Sequence, residues 1–208
     1  MQINLIEPVT KDRSRVVLDS GESFVLYKGE LRLLKIKEQG ELPDEIYKQI
    51  FTVVLPKRAK LRAMNLLKTR PYTEYELTKK LREGGYPEAV IDIAISYVKD
   101  YGYVNDKQYA LDYIKTYVSR RSKKELYQKL IQKGIGKETL DAAFNDTYGT
   151  YKDARTDLFD ESEVIKKTLV KKGFTGKETY EEKQKLLAYF YRRGFDMDMV
   201  YKAMDYLT

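Results

Sequence analysis

The chain of 208 residues has no cysteine, no histidine and no tryptophan, and only five prolines. The first two absences remove thiol nucleophiles, disulfides, thiolate and imidazole metal sites, and the commonest general base at neutral pH. No apolar run approaches the roughly 20 residues that a membrane-spanning helix needs. The segment Met1 to Pro8 lacks the basic stretch followed by an apolar core that marks a secretory signal. The expectation is a soluble cytoplasmic protein that is not an enzyme and holds no cofactor or metal.

What is present is charge, tyrosine and enough apolar residues for a core, at 42% of the chain. The formal charge is +7, and it is unevenly placed: residues 1–56 hold 8 basic and 9 acidic side chains, leaving a net +8 in the remainder. A basic portion of this kind suits a polyanionic partner, nucleic acid or an acidic protein surface. Tyrosine occurs 19 times.

Three stretches carry one pattern around a glycine: Leu77, Leu81, Gly85; Leu126, Leu130, Gly134; Leu186, Phe190, Gly194. The register continues beyond each glycine. An apolar residue follows at once (Tyr86, Ile135, Phe195), another comes six positions on (Ile91, Leu140, Val200), then alanine at nine (Ala94, Ala143, Ala203) and an apolar residue at ten (Ile95, Phe144, Met204). Spacing of 49 and 60 residues between the glycines allows about three short helices per unit, the size at which repeats stack to bury their apolar faces. The fold class is therefore mainly α, tandem three-helix repeats with a small N-terminal β element. The segments are 1–56, 57–101, 102–150 and 151–208.

Local signals place the elements. Arg15 to Leu18 and Ser23 to Tyr27 flank the turn residues Asp19 to Glu22 and predict a β-hairpin. Glu30 to Lys37 predicts a short helical stretch ending at Gly40. Ile46, Ile50, Val53 and Val54 keep helical spacing up to Pro56, which is expected to break or kink the helix. Thr73 to Glu76, Ser122 to Glu125 and Thr179 to Glu182 each read as a capping box. The first two stand twelve residues before their glycine and the third fifteen, which predicts an extra turn in the third repeat's middle helix. The glycines close those helices from the left-handed region. Gly149 to Asp157 is the most polar connection and the expected hinge.

Arg120, Arg121, Lys123, Lys124, Lys129 and Lys133 form the densest basic stretch, with only Glu125 opposing. Lys123 and Lys124 fall in a helix's first turn, where a cation opposes the macrodipole at roughly 0.3–1 kcal/mol, so helix stability does not explain them. Arg120, Arg121, Lys123, Lys124 and Lys129 are the candidate contacts to a partner or to a DNA backbone. Lys133, Arg192 and Arg193 sit in last turns, where the dipole itself favours them. The basic side chains do not line one helix face. Tyr109, Tyr113 and Tyr117 recur every fourth residue on one face, which suits either a core or a platform for stacked bases. Asp157, Asp160, Glu161 and Glu163 precede a helix, where capping already calls for carboxylates. No glycine-rich phosphate loop and no nucleophile elbow occurs.

Gly102-Tyr103-Val104-Asn105-Asp106, Tyr109-Ala110, Tyr113, Arg120-Arg121, Lys129-Leu130 and Lys133-Gly134-Ile135 resemble the RecX family of bacterial regulators. Ala63, Leu66-Leu67, Arg70, Tyr72, Glu76-Leu77 and Leu81 agree in the first repeat, and Arg193-Gly194-Phe195 in the third, so the resemblance covers about residues 57–208. The family usually has glycine where Ser122 stands and glutamate where Lys129 stands. The resemblance implies a non-enzymatic, elongated and curved stack of three-helix repeats. Such a stack lodges in the groove of the RecA recombinase filament on DNA and limits its growth, ATPase, strand exchange and coprotease activity. With this charge the chain is expected to act as a monomer without a cofactor and to touch DNA through the backbone rather than by sequence. From the residues alone two other classes stay open: an autonomous DNA-binding regulator using a helix-turn-helix, since Gly85 and Gly134 sit in turns between helices, and a neutral adaptor whose charge serves solubility.

Overall fold

A computed structural model describes residues 1–149 and 160–208. The described chain is mostly helical, with a small antiparallel sheet at the N-terminus, and divides into two compact units, Met1–Asn105 and Asp106–Thr208. The expected hinge at 149–157, apart from Gly149 at a helix end, and the acidic Asp157 lie outside the described residues.

The first unit opens with β1 (Ile3–Pro8), β2 (Arg13–Leu18) and β3 (Ser23–Tyr27), antiparallel in the order β1-β2-β3. The expected hairpin is β2 with β3, turned at Gly21, whose φ of 83° is the left-handed backbone that glycine adopts without strain. The sequence reading missed β1. Its Asn4 and Pro8 weaken the strand signal, yet Ile3 is fully buried in the core, and β1 runs along an edge where a proline costs no ladder bond. Val16, Leu18, Phe24 and Leu26 bury against the helices that follow.

Next come α1 (Lys28–Leu33), α2 (Asp44–Gln49), α3 (Leu55–Leu67), α4 (Glu74–Glu83) and α5 (Glu88–Asp100). Helix α1 ends sooner than expected, at Leu33, because Lys35 takes a left-handed φ of 54° and the Ile36 N–H closes back on the Leu31 carbonyl at 2.8 Å. Pro56 does not break its helix. Ile50–Val54 winds as a π-helical stretch directly before it, and α3 continues from Leu55 with Pro56 in its first turn. A wider turn there absorbs both the missing N–H and the ring's clash with the preceding turn. The sheet and helices α2 to α5 share one core, in which Leu77, Leu81, Ile91 and Ala94 of the repeat pattern are fully buried. Each such leucine or isoleucine gains about 1.5–3 kcal/mol from burial.

The second unit holds α6 (Asp106–Tyr117), α7 (Lys123–Gln132), α8 (Lys137–Gly149), α9 (Glu161–Lys171), α10 (Tyr180–Arg192) and α11 (Met197–Tyr206). Helices α6 to α8 enclose one core around Leu126, Leu130, Leu140 and Ala143. Helices α9 to α11 enclose another around Phe190, Phe195, Val200 and Ala203. Here Leu187 is the buried residue, while Leu186, at the pattern position, is only partly buried. Helix α10 has 13 residues against 10 in α4 and α7, the predicted extra turn. Gly85, Gly134 and Gly194 have φ of 81°, 81° and 73°, and the next residue's N–H reaches back to Leu81, Leu130 and Phe190 respectively. These are Schellman closures, which satisfy carbonyls that a helix end otherwise leaves open.

Candidate functional site

The three caps show why the second repeat differs. Thr73 and Thr179 form reciprocal capping boxes with Glu76 and Glu182. Ser122 is fully buried and its hydroxyl accepts from the Glu125 N–H at 3.1 Å, but Glu125 does not return the bond. Its carboxylate instead takes Arg121 at 2.7 Å and Arg193 at 3.1 Å. The Ser122 hydroxyl also donates to the Arg193 carbonyl at 2.5 Å. A helix cap has thus become the joint between α7 and the end of α10.

All three nitrogens of the Arg193 guanidinium have a partner there: Nε on Glu125, one terminal nitrogen on the Tyr189 hydroxyl at 2.6 Å, the other on the Arg120 carbonyl at 3.0 Å. Partial burial alone would lower its pKa, but the Tyr189 hydroxyl and Glu125 outweigh it and the net shift is upward. Arg121 lies over the Tyr117 ring at 5.0 Å while pairing with Glu125.

Around this joint opens a groove of about 860 Å³. Arg120 and Arg121 line one wall, in the turn after α6. Lys167 and Lys171 of α9 and Lys172, just past its end, line the other, with Arg193 and the rings of Tyr117 and Tyr189 between them. Among the described residues, six cations and no carboxylate line it. Lys167 and Lys171 are one helical turn apart and so project to the same side. Arg120, Lys167 and Lys171 make no side-chain hydrogen bond or ion pair with the described residues. Lys172 sits 3.9 Å from the centre of the Tyr189 ring. A cleft of one sign with low-dielectric walls concentrates its field and attracts anions.

Of the residues singled out in sequence, the fold brings Arg120 and Arg121 into this groove and leaves Lys123, Lys124 and Lys129 outside its lining. The Lys124 stem lies across Gly194, where an added Cβ would come within 3.1–3.3 Å of its carbons. The Lys123 N–H donates to the Glu161 carboxylate at 3.2 Å. Burial pushes the Glu161 carboxyl upward, against that hydrogen bond. The negative charge that the start of α7 requires is therefore supplied by α9, which answers the apparent misplacement of two lysines there. Sequence reasoning missed Lys167, Lys171 and Lys172, some fifty positions from Arg120. Their i, i+4 spacing was visible, but the wall they face was not.

The tyrosine series packs on the core, as the first of the two readings expects. Tyr109, Tyr113 and Tyr117 pack half-buried on the α6–α8 core, with Tyr109 stacked on Tyr113 at 6.4 Å and Tyr113 tilted by 45° against Tyr117 at 4.6 Å. Burial raises the Tyr113 phenol pKa. Lys133 caps the far end of the stack at 5.3 Å from Tyr109, and Arg121 caps the groove end. Among the described residues no cluster of carboxylates could hold a metal ion: Asp160 caps α9, and Glu163 pairs with Lys166. No helix of the described residues is long and apolar enough to cross a membrane.

Comparison with known proteins identifies the first and third three-helix units. The family model for the first three-helix domain of RecX matches residues 59–97, and that for the third matches residues 160–204. The regulatory protein RecX of Caldanaerobacter subterraneus subsp. tengcongensis is 31% identical over 191 residues, 91% of each chain. That of Finegoldia magna is 26% identical over the same share. A crystal structure of a regulatory protein RecX superposes with a TM-score of 0.61 at 22% identity, covering 98% of both chains. The RecX of Lactobacillus salivarius gives 0.59 at 24% identity over 74% of this chain and 96% of that one. Sequence pattern, capped three-helix units and these likenesses converge: the chain belongs to the RecX family of regulatory proteins.

Proposed function

We propose that this protein binds the filament that a RecA recombinase forms on DNA and restrains it, lowering its growth, ATPase, strand exchange and coprotease activity. The observation that carries the reading is the groove of the second unit, where Arg120, Arg121, Lys167, Lys171, Lys172 and Arg193 converge with no carboxylate among the described lining residues. Phosphate oxygens suit it: guanidinium and ammonium donors with flanking tyrosine rings grip a backbone without reading bases. The protein acts as a cytoplasmic monomer. Arg120 and Arg121 are contacts, and Lys123, Lys124 and Lys129, outside the lining, add to the surrounding positive field.

The test is a titration of RecA ATPase on single-stranded DNA, with filament length read by electron microscopy. The protein is expected to lower both, and Arg120→Gln with Lys171→Gln to need about tenfold more protein for the same effect. Unchanged ATPase and filament length under excess protein at low salt would overturn the reading. A helix-turn-helix regulator would instead show sequence-dependent DNA affinity that survives salt, without RecA.

A further inference from the structure

The first unit carries a separate cationic groove, of about 700 Å³, built from different elements. Arg13 enters it from β2, Arg58 and Arg62 from consecutive turns of α3, and Lys80 from α4, beside the rings of Tyr27 and Tyr86. Glu83 is the one carboxylate among the described lining residues, and Lys80 engages it at 2.7 Å.

Arg58 is held in place before any ligand arrives. One terminal nitrogen donates both to the Val25 carbonyl at 3.1 Å and to Glu30 at 2.9 Å, and the guanidinium lies over the Tyr27 ring at 4.3 Å. Glu30 is itself fixed by the Tyr27 N–H at 2.7 Å. These contacts use two of the five guanidinium N–H groups, so three remain, on a side chain only 15% exposed. Arg62, one turn further along α3, makes no hydrogen bond or ion pair with any described residue. Arg13 reaches only the neutral Thr10 hydroxyl, at 3.4 Å. The half-buried Tyr86 phenol, whose pKa burial raises, faces Arg58, Arg62 and Arg13, each of which pulls the other way, and its hydroxyl has no partner among the described residues.

We propose that this groove is a second phosphate-binding site of the protein, taking the backbone of a nucleic-acid strand on the N-terminal unit independently of the groove in the C-terminal unit. Three guanidinium groups from two elements meet an unpaired phenol hydroxyl. That donor set fits oxygens with several lone pairs, and guanidinium matches phosphate bidentately. A strand is favoured over an acidic peptide by Tyr27, 45% exposed at the rim with Arg58 on its face, where a nucleobase or sugar can pack beside the phosphate. The pre-set Arg58 means that little side-chain freedom is lost on binding.

The test uses the full chain and a fluorescein-labelled oligothymidylate, without recombinase, so its result stands apart from the reading proposed above. Anisotropy is followed across a salt series for the wild type, for Arg13→Gln with Arg62→Gln, and for Arg120→Gln with Lys171→Gln. Arg62 is exposed and Arg13 half-buried, and circular dichroism checks that the fold is retained. The first-unit variant is expected to bind about tenfold more weakly. The slope of log affinity against log salt should fall by about 1.4, the loss of roughly two phosphate contacts on a single strand. Arg62→Glu alone is expected to weaken binding more than Arg62→Gln. Wild-type affinity and slope in the first-unit variant would overturn the proposal. So would a variant that keeps its oligonucleotide affinity but loses affinity for polyglutamate, since the groove would then take an acidic protein.

Discussion

The Glu125 carboxylate bridges two arginines that stand 72 positions apart in sequence, holding Arg121 at 2.7 Å and Arg193 at 3.1 Å. Both guanidinium groups also line the cationic groove, so one acidic side chain at a helix start sets the positions of two of its cations. Its own side chain is 19% exposed, and solvent screens the pairs only partly.

Replacing this carboxylate leaves two like charges facing each other with one bridge gone. Glu125→Gln is expected to destabilise the second unit by roughly 2 kcal/mol, the cost of losing hydrogen bonds to charged groups. Urea denaturation followed by circular dichroism measures it. An unchanged midpoint would show that the bridge contributes nothing.

Ser122 serves both helices that meet there, capping α7 and donating to the Arg193 carbonyl. Ser122→Ala removes both bonds from a fully buried site and is expected to cost about 1–2 kcal/mol. Ser122→Thr keeps the hydroxyl and is the control. Equal loss in alanine and threonine variants would point to packing rather than to the two hydrogen bonds.

Gly85 is restricted twice. Its φ is 81°, and an added Cβ would stand 2.5 Å from Val25 Cγ2 on the sheet. Gly102 has a similar φ of 70° with nothing within 4 Å. Gly102→Ala should cost about 1–2 kcal/mol from backbone strain alone. Gly85→Ala should cost a further 1–3 kcal/mol or so, as packed neighbours shift. Equal denaturation midpoints for the two variants would refute the steric argument.

The Glu182 carboxyl is held below the usual carboxylate range by the Thr179 N–H, then by the Thr179 hydroxyl. A folded pKa depressed in this way stabilises α10 above the unfolded value near 4.3, and that contribution disappears as pH falls through the folded value. Nuclear magnetic resonance of the Thr179 amide between pH 6 and pH 2 should show its environment changing below about pH 4.3. Glu182→Gln should abolish the titration. A titration that persists in the glutamine variant would assign it to another group.

What was legible in the sequence is what local physics decides. Thr73 and Thr179 announce helix starts because a hydroxyl three residues before a glutamate satisfies open N–H groups within one turn. Gly85, Gly134 and Gly194 announce ends because the left-handed backbone favours a residue without Cβ. The helical spacing of Leu77 and Leu81, or of Leu126 and Leu130, fixes which face is buried. Strand β1 and the π-helical passage before Pro56 escaped because both depend on neighbours: β1 on the pairing of β2, and the widened turn on a core that keeps the helix running.

The same division runs through the site. Sequence by itself determined the three-helix units, their family and the excess of positive charge, since each rests on contacts a few residues apart or on composition. Only the tertiary structure decided which charges act together. Arg120 and Arg121 meet Lys167, Lys171 and Lys172 because α7 and α10 are joined through Ser122, Glu125 and Arg193. Lys123, Lys124 and Lys129, adjacent in the sequence, are turned elsewhere. A helix advances about 100° per residue, so neighbouring side chains diverge, and only the packing of distant helices brings cations to one groove.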